Sequence, residues 1–400
     1  MNKEELLKEY QRYQSMNLNI NMSRGKPNKH QLDLSLGLLD VINSSSSFIN
    51  ENGIDIRNYG ELTGIDECKK LFSKMTGINK ENILIYGNSS LNIMYDFISR
   101  SMTHGVNGNT PWCKLDKIKW LCPVPGYDRH FAITEYFGIE MINIPMNEDG
   151  PDMDLIEEYV KDPSVKGIWC VPIYSNPTGI TYSDEVVRRF ASLKPSAKDF
   201  RIYWDEAYIV HHLYNGHIDS LLNIFTEAKK EHNEDIVYVF SSTSKITFAG
   251  SGVASVATSN NNINFIKNQL KCQTLGYDKI NQLRHAYFLS DLESHMKKIA
   301  DILRKKFEVV DSVFNKELSG IVNWSKPHGG YFISLYVPGK AKEVIERCKK
   351  CGVTLTDSGC AYPYHIDKDN SHIRIAPSYL EVDELRLASE IIALSVKIEL

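Results

Sequence analysis

Asp205 opens the tetrapeptide Asp205-Glu-Ala-Tyr208, which sets a carboxylate three residues before a phenol. Lys245 closes Ser241-Ser-Thr-Ser-Lys245, an amine behind a run of hydroxyls. Asn176 sits in Tyr174-Ser-Asn-Pro-Thr-Gly179, a tight turn that presents an amide, and in Pro123-Val-Pro-Gly-Tyr-Asp-Arg-His130 two prolines and a glycine fix the backbone around Tyr127, an aromatic able to stack on a planar ligand. Gly87-Asn-Ser-Ser90 leads into a helical segment and offers backbone N–H groups, two hydroxyls and a helix N-terminus, a cradle suited to phosphate. No Gly-Lys-Ser/Thr follows, so it is not a P-loop. Taken singly, each has a plainer reading: a serine-capped glycine turn, a tyrosine at a domain seam, a solvated lysine. Together they are what pyridoxal phosphate needs, namely an amine for the Schiff base, a carboxylate for the pyridinium nitrogen, an aromatic plate and anion donors. An ionised Asp205 would keep the ring nitrogen protonated, so that the ring can accept the electron pair freed at a substrate α-carbon. Asn176 and Tyr208 could hydrogen-bond the ring hydroxylate and tune the imine.

Such residues must be brought to one place by the elements that carry them. From about residue 58, short runs rich in β-branched and aromatic residues alternate with longer helix-like segments, the βαβ pattern of a mainly parallel sheet. The candidate strands are Ile83-Leu-Ile-Tyr86, Lys119-Trp-Leu-Cys122, Gly167-Ile-Trp-Cys-Val171, Arg201-Ile-Tyr-Trp204 and Ile236-Val-Tyr-Val-Phe240. Each ends on one of the motifs above, where an open parallel sheet binds its ligands. Upstream, residues 3–14 read as an amphipathic arm with Leu6, Leu7 and Tyr10 on one face, and the four serines Ser44 to Ser47 mark a crossing between bodies. The last ~100 residues read as a smaller α+β body: a long helix near 297–315, a strand over 331–336, and a closing helix from about Val382.

Composition narrows the classes of function. The 400 residues carry a formal net charge of -4, with 24% charged and 42% hydrophobic side chains, which fits a globular protein and gives no general attraction to nucleic acid. Eight scattered cysteines predict a reducing compartment rather than a disulfide scaffold. With no apolar run near the ~20 residues of a membrane span, the expectation is a cytoplasmic protein without membrane contact.

These motifs resemble the class I aminotransferases of the fold-type-I pyridoxal-phosphate superfamily, in order, from Ser23-Arg-Gly-Lys-Pro27 to Ile373-Arg-Ile-Ala-Pro377. The resemblance implies an α/β fold: a mainly parallel seven-stranded sheet sandwiched by helices, with a smaller α+β domain. Residues 1–48 would supply the arm and the first part of that small domain, 49–300 the cofactor domain, and 301–400 the rest of the small domain. It implies an amino-group transfer between an amino acid and a 2-oxo acid, with Lys245 as the covalent anchor and acid/base. Asn88, Ser89, Ser90, Tyr127, Asn176, Asp205, Tyr208, Ser242 and Ser244 would hold the cofactor, with His130 behind the aspartate. Tyr59, in Asn58-Tyr-Gly-Glu-Leu-Thr-Gly64, would reach the phosphate of a partner subunit, which implies a homodimer. Arg374, Gly25 and Asn176 would bind substrate, Arg374 clamping the α-carboxylate with its planar fork.

The chain departs from the family pattern in one respect. Eight residues after the lysine the family carries a phosphate-binding arginine, and here Val253 stands there. That detail, with Ser23-Arg-Gly-Lys-Pro27 and Asp278-Lys-Ile-Asn-Gln-Leu-Arg284, is similar to a divergent aspartate aminotransferase subgroup filed beside MocR-type proteins. The subgroup implies aspartate or glutamate as donor, which needs a second cation; Arg24, Arg129, Lys271 and Arg284 are the candidates. The alternatives are β-elimination or decarboxylation on the same apparatus, or a MocR-type ligand sensor, against which stands the absence of a basic face. No metal site is expected: Cys348-Lys-Lys-Cys351 lacks a second pair, and His211, His212 and His217 lack ligand spacing.

Overall fold

A computed structural model describes residues 2–400. In chain order the strands are β1 (Ile20–Asn21), β2 (Ile83–Ile85), β3 (Lys119–Val124), β4 (Glu140–Asn147), β5 (Gly150–Pro151), β6 (Val165–Cys170), β7 (Arg201–Asp205), β8 (Val237–Ser242), β9 (Ala254–Ala257), β10 (Asn323–Trp324), β11 (Ile333–Tyr336), β12 (Val353–Thr354) and β13 (His372–Ile375). One sheet runs β2-β9-β8-β7-β6-β3-β4-β5. Pairing is parallel from β8 through β7, β6 and β3 to β4, while β9 lies antiparallel to both β8 and β2. Seven strands make the body of the sheet as the resemblance implied, and the two-residue β5 folds back on β4 as an eighth at the edge.

Alternate residues of each strand face opposite sides, and both sides are apolar, as a covered parallel sheet requires. Trp120, Trp169, Tyr203 and Phe240 pack on one face, while Leu121, Ile168, Ile202 and Trp204 pack on the other. Because β2, β3, β6, β7 and β8 point the same way, the residues that follow them gather along one edge. That common direction is what brings motifs from residues 87 to 245 into one site.

The two chain ends fold together beside this sheet. β1 pairs in parallel with β12, Ile20 opposite Val353, and Tyr10 of the first helix, Lys3–Ser15, donates its hydroxyl to the Arg347 carbonyl at 3.1 Å. The arm buries Leu6, Tyr10 and Tyr13; Leu7, expected on the same face, is exposed, because the apolar stripe continues at i+3 to Tyr13 rather than broadening sideways. β10, β11 and β13 form a three-stranded antiparallel sheet in which Arg374 lies opposite Ser334. The long helix runs over Leu292–Leu318, further at both ends than its expected span, with Asp291 accepting the Ser294 amide as N-cap.

Candidate active site

Lys245 follows β8, and its Nζ makes no hydrogen bond; it lies 5.0 Å from the centre of the Tyr208 ring and 5.8 Å from that of Tyr331. Burial lowers its pKa, partly offset by the charge of Asp205. A cavity of about 200 Å³ opens in front of it, lined by Ser89, Ser90, Tyr127, Asn176, Asp205, Tyr208, Ser242 and Ser244. Asp205 ends β7 with a side chain almost wholly inside the protein. His130 Nε2 stands 3.2 Å from its Oδ2, while its Oδ1 has no partner. His130 is itself fixed by stacking on Trp169, with ring centroids 4.6 Å apart and planes at 17°, and by the edge of Tyr127 at 4.9 Å. Asn176 is buried with no partner for its Oδ1, and burial holds the Tyr208 phenol protonated, well above its ordinary pKa.

On this cavity wall the helix Ser90–His104 begins, with Ser89 as N-cap and no side-chain cap hydrogen bond, so the amides of its first turn lack helical acceptors. Asn88 contributes its carbonyl, which accepts from Ser244 Oγ at 3.4 Å, and its side chain does not line the cavity. Gly252 packs closely there: a Cβ on it would come within 3.1 Å of the Asn88 carbonyl. Val253 is buried and tied to Thr243, donating its amide to Thr243 Oγ1 at 2.9 Å and accepting the Thr243 amide at 2.9 Å. Among the described residues Lys245 is the one Lys or Arg on this cavity wall, so amides and hydroxyls form its anion end.

The aspartate amino-transferase family model matches residues 2–399. The chain belongs to this family. It is 42% identical over 400 residues to the aspartate aminotransferase of Corynebacterium glutamicum, covering 98% of this chain and 92% of the relative. A solved structure of an aspartate transaminase from that organism superposes with a TM-score of 0.96 at 41% identity, over 99% of this chain and 95% of the other. A putative aminotransferase from Corynebacterium diphtheriae gives 0.96 at 44% identity, over 99% of both chains. A kynurenine aminotransferase from Pyrococcus horikoshii, solved with PMP, shares the fold with a TM-score of 0.79 at 20% identity.

The cofactor of this aminotransferase is pyridoxal 5′-phosphate, and the cavity fits it. A buried acceptor without a donor, Asp205 Oδ1, lines a space that Ser89, Ser90, Ser242 and Ser244 also line. Beyond Lys245 a second cavity of about 480 Å³ is lined by Arg24, Gly25, Lys26, Asp128, Arg129 and Arg374 and shares Tyr127, Asn176, Tyr208 and Lys245 with the first. Gly25 is fixed by space: a Cβ there would sit 2.5 Å from Phe332 Cζ, the ring over which the Arg374 guanidinium lies at 5.1 Å. Of the four second-cation candidates, Arg24 and Arg129 line this cavity; both are exposed, and neither guanidinium makes a hydrogen bond or ion pair among the described residues. Lys271 is exposed and bonds Asn268, and Arg284 points at the Ile42 carbonyl, so the single chain brings neither to the site. Tyr59 is 78% exposed and lines neither cavity of its own chain.

Several residues at the site carried no signal in the sequence. The Lys245 carbonyl receives Gln31 Nε2 at 3.3 Å, the Tyr331 hydroxyl at 3.3 Å and His211 Nε2 at 3.4 Å. Burial keeps His211 neutral, its pKa lowered to about 3. Gly329 has no room for a side chain, since a Cβ there would come within 2.3 Å of the Tyr174 ring. Lys26, absent from the cation candidates, lines the substrate-side cavity with its ammonium over the Tyr379 ring.

Proposed function

We propose that this aminotransferase moves an amino group between aspartate or glutamate and a 2-oxo acid, working as a homodimer. The observation that carries the dicarboxylate reading is the pair of partnerless guanidinium groups, Arg24 and Arg129, in the cavity that also holds Arg374 and Lys245. Both side chains are exposed to water on the cavity wall, so they can receive a second carboxylate while Arg374 holds the first. The C. glutamicum relative named aspartate aminotransferase supports the same reading.

Pyridoxal phosphate supplies, when bound, an electron sink for the pair released at the substrate α-carbon. Ser89, Ser90, Ser242 and Ser244 hold its phosphate through hydroxyls and the first-turn amides. Asp205 Oδ1 keeps a proton on the ring nitrogen, with His130 fixing the carboxylate through Oδ2. Asn176, through its amide N–H, and the Tyr208 hydroxyl would donate to the ring oxygen, and Tyr127 would offer an aromatic face to the ring. Lys245 Nζ, on the wall shared by both cavities, would hold the cofactor covalently and would serve as the acid/base at the substrate α-carbon. Its lowered pKa favours the neutral, nucleophilic amine. Arg374 turns the α-carboxylate toward that amine, and Gly25 lets the 23–26 segment close against Phe332. The dimer rests on Tyr59, which completes the phosphate site of a partner. Residues 1–48 with 301–400 form the smaller body around 49–300, a division supported by the pairing of β1 with β12.

Steady-state kinetics with a panel of donors tests the substrate. Aspartate and glutamate should exceed alanine and aromatic donors in kcat/KM, and Arg24→Ala with Arg129→Ala should raise KM for the dicarboxylates by roughly tenfold or more while leaving alanine unmoved. Equal use of alanine by the unaltered enzyme would end this reading. Borohydride reduction and peptide mapping test the anchor, with the pyridoxyl group expected on Lys245 and nowhere else.

A further inference from the structure

Arg374 holds a carboxylate of its own chain. Its NH1 donates to Asp128 Oδ1 at 2.7 Å, its NH2 reaches Thr356 Oγ1 only at 3.5 Å, and its Nε has no partner and no surface open to solvent. An incoming α-carboxylate therefore cannot use the sealed Nε edge. It must approach the terminal nitrogens, and Asp128 stands there.

The two partners are unequally placed. The Arg374 side chain is 5% exposed, anchored in β13 and backed by Phe332, whereas that of Asp128 is 25% exposed on the cavity wall. Asp128 is the first residue of the helix Asp128–Tyr136. Its charge stays favourable at that helix terminus even without the guanidinium, and the unpaired Arg129 is the next residue. The carboxylate can give up the arginine at small cost; the arginine has nowhere to go.

We infer that Asp128 is a positioning residue that occupies the α-carboxylate clamp until substrate displaces it, and so sets substrate affinity through Arg374. This rests on Arg374 being the clamp. The contact also joins the large-sheet helix to the three-stranded sheet, so each binding event exchanges a link within the chain for one through the substrate. An internal carboxylate at 2.7 Å competes directly with an external one, because both seek the same charge-assisted donors. Asn at this position keeps an oxygen acceptor for NH1 and removes the competing charge.

The test uses the holoenzyme and succinate, a dicarboxylate that cannot react, as competitive inhibitor. Asp128→Asn should tighten succinate and lower KM for aspartate, each by roughly three- to tenfold, with kcat changed less than KM. Asp128→Ser, which keeps a side chain suited to a first helical turn, should do the same and serves if the Asn variant does not fold. Arg374→Lys, run in parallel, should weaken succinate strongly. Weakened binding in Arg374→Lys with unchanged or poorer binding in both Asp128 variants would overturn the inference while sparing the clamp. Unchanged binding in Arg374→Lys would bring down the clamp and the inference with it.

Discussion

Glu206 shows how strongly position governs a single side chain here. It follows Asp205 directly, yet one carboxyl faces the cofactor cavity and the other is enclosed, receiving the Trp204 indole N–H at 3.2 Å on Oε1 and nothing on Oε2. Burial, reinforced by the neighbouring charge of Asp205, raises its pKa to about 8 from an ordinary 4.5. Between those values the folded state keeps a proton that the unfolded chain releases, so this group's contribution to stability falls as pH rises through the window. Glu206→Gln removes the titration and keeps the indole's acceptor. The variant should match the parent near pH 4.5 and exceed it by on the order of 4 kcal/mol at pH 8, read from urea midpoints at the two pH values. A constant difference across that range would show that Glu206 titrates normally. The candidates the sequence marks by residue type, Lys245, Asp205, Asn176, Tyr208 and Arg374, all stand around two joined cavities. It is silent on Gln31 and Tyr331, because their target is a backbone carbonyl, which has no residue type to read. Asp128 escaped for another reason: beside Tyr127 and His130 it reads as helix-start polarity, and only the fold sets it against an arginine 246 positions away.

At the scale of elements, legibility followed hydrophobic pattern. β2, β3, β6, β7 and β8 are near-continuous apolar runs because both faces of the sheet are covered, and each ends in a visible turn motif. β4, Glu-Met-Ile-Asn-Ile-Pro-Met-Asn, lies toward the edge, alternates in burial and contains a proline, so it reads as neither a buried run nor a clear turn. β9 is four small residues, Ala-Ser-Val-Ala, too short to show a period. β1, β10 and β12 are two residues each and exist only through their partners. Neither β4 nor β9 carries a residue that lines the two cavities, which is why a site could be read from a sheet only partly seen.

At the scale of the molecule, the proposed homodimer draws support from what one chain leaves bare. Leu275, 64% exposed, is joined to the Tyr59 segment by the Gly60 amide at 3.0 Å, and Leu36 and Leu39 are exposed on the turn whose Gly37 meets Phe288. An exposed leucine held beside an exposed tyrosine suits an interface better than open solvent. Sedimentation should give a dimer at assay concentrations, and Tyr59→Phe should release cofactor more readily on dilution while leaving the dimer intact. An active monomer would contradict the arrangement. The pairing of residue 20 with residue 353 carries a further consequence, for synthesis. A chain emerging from the ribosome exposes its first strand more than three hundred residues before that strand's partner exists, while the central sheet can assemble as it emerges. The arm must wait, unpaired, for nearly the whole of translation. Gln31 and Tyr331 reach the Lys245 carbonyl only once both ends are home, so the lysine acquires its final setting among the last events in the making of the protein.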